Sequence, residues 1–129
     1  MLWRYHLGAH KTATTHIQEV LRSQRLKLRE QGIRYIPLDE LRSATYEILE
    51  STRFPKLKFD LLRFGAPKAT ILSEENFMGY PIEACSFPLY PRMEHRLEII
   101  KRRPAVAFLA IRNPADFAAS VYSEAARRH

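Results

Sequence analysis

The stretch HLGAHKTATTHIQEVL, residues 6–21, decides how the chain is read. A short apolar run breaks into glycine, lysine and a cluster of hydroxyl residues, then takes on the periodicity of a helix. A strand that opens through such a loop into a helix gathers unpaired backbone N–H groups and the positive end of the helix dipole at one point. A phosphate or sulfate is stabilised there without further machinery. Gly8 permits the tight turn, Lys11 adds a full positive charge, and Thr12, Thr14 and Thr15 add hydroxyl donors. The same residues suit a plain strand-to-helix turn capped by threonine with a surface lysine, so the loop by itself leaves both readings open.

Outward from this loop, strands and helices alternate. LWRYHLG is predicted as a first strand, and Thr14 to about Gln31 as a helix with Ile17, Val20, Leu21 and Leu28 as its apolar stripe and Gly32 as its end. IRYIP is a short second strand closed by Pro37, and Asp39 to Phe64 is helical in pattern with a break near Pro55. ATILS is a third strand, NFMGYPIEACSFPLYP a loop, and Arg92 to Arg102 a helix. AVAFLAI is a continuous apolar run of the kind expected for a strand buried on both faces. RNPADFAASVYSEAARRH starts a helix with Asn113 as N-cap and Pro114 at the first helical position. Apolar strands separated by helices predict an α/β fold, a parallel sheet flanked by helices. Ligands of such sheets bind at the carboxyl ends of the strands, where GAHKTATT and RNPADFAAS both fall.

The second of these loops adds a second anion grip. Arg112 follows the apolar strand, and Ser120 lies on the same helix face as Asp116. A guanidinium fork matches phosphate geometry, and a nearby hydroxyl fixes its orientation. A salt bridge from Arg112 to Asp116 or Glu124 is the alternative use of the same side chain.

A chain of 129 residues is expected to form one domain. No run of about 18 apolar residues predicts a membrane span, and the N-terminus lacks the order of a signal peptide. The single Cys85 makes no internal disulfide and no zinc spacing, so a cytoplasmic setting is expected. The net charge of +7 favours a polyanionic partner. Its basic residues sit on predicted helix faces without interleaved aromatics, so nucleic acid is not expected. Trp3 reads as an edge aromatic and His6 as a satisfied core or inter-strand residue.

With both loops in view, HLGAHKTATTHIQ resembles the 5'-phosphosulfate-binding loop of sulfotransferases that use 3'-phosphoadenosine 5'-phosphosulfate (PAPS), especially bacterial members. AFLAIRNPADFAASVYSE resembles the 3'-phosphate motif of that family, and ILSEENF the strand between the two. Ala13 stands where the family usually has glycine. The resemblance implies a P-loop-like fold, and roles residue by residue. Lys11 would stabilise the leaving group, while Gly8, His10, Lys11, Thr12, Ala13, Thr14 and Thr15 form the phosphosulfate loop. Arg112 and Ser120 would bind the 3'-phosphate, and no metal is expected. The acceptor is a hydroxyl compound whose identity no motif encodes, and oligomeric state is equally open. By the Ser-x-Glu pattern of the family the general base is Glu75, with His10 and His16 as rivals. Family members run to roughly twice this length, so residues 1–129 are expected to be the N-terminal portion of a sulfotransferase domain.

Two other readings use parts of the same evidence. A nucleotide kinase would share the sheet and the first loop, but the Gly-x-x-x-x-Gly-Lys-Ser/Thr loop needs glycine where His10 stands. A non-catalytic anion-binding module would explain only the charge.

Overall fold

The computed structural model describes residues 1–50, 68–100 and 104–128. In chain order they form strands β1 (Leu2–Gly8), β2 (Ile33–Tyr35), β3 (Ala69–Ser73) and β4 (Ala105–Leu109). The helices are α1 (Thr14–Ser23), α2 (Arg25–Glu30), α3 (Leu38–Glu50), α4 (Met93–Ile100) and α5 (Pro114–Arg128). All strand pairs are parallel and the order is β2-β3-β1-β4, which makes β1 central. The fold is therefore α/β with a four-stranded parallel sheet flanked by helices, as the alternation of elements predicts. Strand ends consequently share one edge of the sheet, and the loops after β1, β3 and β4 converge there.

Side-chain alternation along β1 places Trp3, Tyr5 and Leu7 on one face, where they pack with Leu72, Leu41, Phe77 and Val121. Leu41, Leu72 and Phe77 are fully buried, each worth roughly 1.5–3 kcal/mol against exposure. Trp3 belongs to this core and is not an edge residue, because β1 has neighbours on both sides. The long segment expected as a loop after β3 contains two 3-10 turns, Glu75–Phe77 and Pro81–Cys85. The second of these turns packs against α5 through Ala84 and the Val121 side of the helix.

Two expectations about these elements need correction. The helix predicted over Thr14 to Gln31 is two helices separated at Gln24 (φ −94°, ψ 6°), and α1 buries Thr14 and Gln18 while Val20 is exposed. The reason is polar: the Gln18 amide donates to the Ser73 carbonyl at 3.1 Å, so the strand ends hold this helix by hydrogen bonds. The run AVAFLAI is not buried on both faces, since β4 is exposed along its whole length. It is an outer strand, and among the described residues nothing pairs with its second edge. The predicted break near Pro55, with the helical pattern on to Phe64, lies outside the described residues, as does the end expected at Arg102.

The capping expected for the last helix does form. Asn113 accepts the backbone N–H of Ala115 through its side-chain oxygen at 2.9 Å, and Pro114 occupies the first helical position. No described helix is long and apolar enough to cross a membrane.

Candidate functional site

The loop after β1 is wound tightly by three residues with positive φ: Gly8 at 85°, Lys11 at 62° and Ala13 at 60°. Gly8 has no substitute there. A Cβ on it would lie 2.9 Å from the Glu75 Cβ and 3.3 Å from the Thr14 Cγ2. Ala13 is the N-cap of α1 and provides no side-chain acceptor, and no acidic residue lies in the first turn. The helix thus begins without the threonine cap that a plain turn would use, and its dipole is not neutralised locally. Thr12 turns away, its hydroxyl donating to the Ala9 carbonyl at 2.6 Å.

A cavity of about 540 Å³ opens in front of this loop. His10, Lys11, Ala13, Thr14, Thr15 and Gln18 form one wall, and Leu38, Arg42, Glu75, Arg112 and Glu124 the others. Of the residues singled out in the sequence, Gly8, Thr12 and Ser120 do not line the cavity. His16 is exposed on α1, outside the cavity. Arg112, three residues beyond β4, donates through Nη1 to the Lys11 carbonyl at 3.0 Å, and so ties the two loops together. Lys11 Nζ reaches across to Glu124 of α5 at 2.9 Å. Glu124 therefore pairs with Lys11, and the Arg112 guanidinium holds the loop backbone.

His10 is buried within the loop wall. Its Nε2 donates to Asn76 Oδ1 at 3.2 Å, and its Nδ1 accepts the Tyr90 hydroxyl at 2.9 Å. Burial holds its pKa below 6.5, against the opposing pull of the Asn76 bond and of the Glu75, Glu124 and Glu74 carboxylates. The Tyr90 hydroxyl is pushed up to about 12 by burial and stays a donor. The imidazole is thus neutral near pH 7 with both nitrogens engaged, leaving no free lone pair for an acceptor's proton. His6 makes one inter-strand bond, from Nδ1 to Ser73 Oγ at 2.8 Å.

Glu74 and Glu75 are adjacent in sequence and opposite in environment. Glu74 is 1% exposed. Its carboxylate accepts the Asn76 backbone N–H at 3.1 Å, Arg42 Nη2 at 3.0 Å, and Arg42 Nε on its second oxygen. That bond raises the Arg42 pKa further above its ordinary value. Glu75 faces the cavity instead, with Gln18 Nε2 3.4 Å from its Oε2. A carboxylate on the cavity wall, steered by a buried amide, is placed to accept a proton from a molecule in the cavity. Sequence reading gave no role to Arg42, Gln18 and Tyr90: Arg42 and Tyr90 belong to no motif, and Gln18, at the end of the first motif, meets Ser73 and Glu75 only through the fold. Among the described residues no group of three or more His, Cys, Asp or Glu is placed to hold a metal ion.

The neutral state of His10 sets a pH dependence. Below about 6.5 the unfolded chain takes up a proton that the folded loop resists, so stability is full above that value and falls as pH drops toward the folded pKa. Urea midpoints measured between about pH 7 and 5 should fall less steeply in His10→Gln than in the parent. Equal slopes would mean that His10 does not resist protonation. No family model, curated protein or solved structure matches the chain.

Proposed function

We propose that this chain binds the donor of a PAPS-dependent sulfotransferase, which moves a sulfuryl group to an acceptor hydroxyl. The observation that carries the reading is the meeting of the Lys11 loop with Arg112, 101 residues later, across one cavity. Two cationic side chains from two strand ends suit a ligand with two separated anionic groups. The groups present fit such a donor: an uncapped helix start, Lys11, and the Thr14 and Thr15 hydroxyls for its 5' side, and Arg112 for its 3'-phosphate. Ser120 lies on α5 outside the cavity wall, so Arg112 is the principal contact expected on that side. When bound, the donor supplies the sulfuryl group.

The chain's own residues then position and stabilise. The loop backbone and the amides at the start of α1 are fixed before the ligand arrives, with the Lys11 carbonyl tied to Arg112, so they stabilise negative charge with little reorganisation. Glu75, steered by Gln18, takes the acceptor's proton. Holding both reactants in one cavity converts their encounter to a unimolecular step.

The test is calorimetric titration with 3'-phosphoadenosine 5'-phosphate beside 5'-AMP. The bisphosphate is expected to bind more tightly, with Arg112→Ala removing the preference and Lys11→Ala weakening both ligands about tenfold. Equal affinity for the two nucleotides would sink the donor assignment and leave a general anion site.

A further inference from the structure

The Lys11–Glu124 pair has the wrong sign for an anion site. The loop offers the cavity a lysine, hydroxyls and backbone N–H groups, yet a carboxylate from α5 sits on the lysine at 2.9 Å, in addition to Glu75 on the wall. Lys11 and Glu124 both line the cavity, with side chains 37% and 21% exposed. A carboxylate is the nearest analogue among amino-acid side chains of a phosphate or sulfate oxygen pair. We infer that Glu124 is an internal counter-anion, which holds Lys11 where an incoming phosphate or sulfate must take it, so that the ion pair and the bound anion exclude one another.

The surroundings make this exchange inexpensive for the fold. α5 is anchored by the buried Val121 and Ala125, so the helix keeps its place when Lys11 changes partner. The Lys11 backbone is held separately through its carbonyl by Arg112, so the lysine changes partner while the loop keeps its shape. A small anion gains one lysine contact and loses one ion pair, which leaves little net affinity. A ligand with a second anionic group held elsewhere in the cavity keeps that contact as a surplus. Glu124 therefore acts as a specificity-determining residue, favouring multiply anchored anions over free phosphate or sulfate.

The inference rests on the loop as an anion site and not on the identity of the donor, and its test uses inorganic pyrophosphate. Titrations of the parent, Glu124→Gln, Lys11→Met and the double variant complete a cycle. Glu124→Gln is expected to tighten pyrophosphate about fivefold when Lys11 is present and to change it by less than about twofold in the Lys11→Met background. An equal gain without the lysine would mean simple repulsion and overturn the inference. No gain, or a loss, would mean that Glu124 orients Lys11 for the ligand, which also overturns it. Absence of binding in every variant would remove the anion site itself. Glu124→Ser serves as a second probe should the glutamine variant fold poorly, as checked by circular dichroism. Preference for the bisphosphate nucleotide is measured separately, so the fivefold gain without such a preference would uphold the counter-anion and discard the sulfotransferase reading.

Discussion

Phe77→Ala is expected to lower the unfolding free energy by about 3–5 kcal/mol, the range for removing a fully buried aromatic ring. Phe77 has no exposed surface and ends the 3-10 turn that begins with Glu75. It belongs to the buried cluster that also holds Tyr5, Leu72 and Val121, and its turn packs against β1 and α4. A loss of that size is a large fraction of what a single domain possesses. Urea denaturation followed by circular dichroism gives the number. A loss below about 1 kcal/mol would mean that the site relaxes around the void, contrary to the close packing around Phe77. Because the turn carries Glu75, any folded fraction should also bind anions with an altered cavity wall.

The second large effect is expected at Arg42. Its guanidinium grips Glu74 through two nitrogens, and Glu74 is buried while Arg42 is nearly half exposed. Removing one member of a buried pair leaves the other as an uncompensated charge, a loss of about 3–5 kcal/mol for fully buried pairs. Solvent around Arg42 discounts this, so Arg42→Ala is expected to lose about 2–3 kcal/mol. Part of the loss is not lysine-like charge but fork geometry, so Arg42→Lys should recover only a fraction of it. The decisive measurement is Arg42→Ala with and without Glu74→Gln. If the neutral glutamine restores nothing, the stranded carboxylate is not the source of the loss.

Much of the architecture was legible because local chemistry and fold agreed. Gly8 before a lysine and threonines marked the β1–α1 turn, and Asn113-Pro114 marked the start of α5 with the cap that forms. ATILS was short, apolar and bounded, and it became β3. The failures have a common cause. Hydrophobicity along AVAFLAI says that a strand is suited to burial, but neighbours decide burial, and β4 has a described neighbour on one side only. Helix α1 misled in the opposite sense: its apolar positions promised the contact face, yet Gln18 and Thr14 form it, because the sheet edge beneath offers the Ser73 carbonyl. At the site, Lys11 and Arg112 were visible as charges in motifs. Glu124 was visible only as a partner for Arg112, since the reach of Lys11 across to α5 depends on a left-handed backbone at Lys11 that no spacing rule encodes.

The side of β4 that has no described neighbour also has a kinetic signature. Along a paired strand, alternate residues turn their amides toward and away from the neighbour. In deuterium exchange, β4 should therefore give two populations interleaved residue by residue: slow amides facing β1 and fast ones facing outward. A chain that adds itself along Ala105–Leu109 would merge the two into one slow class. It would also stiffen the segment that ends in Arg112, and so reach the cavity through the backbone without entering it.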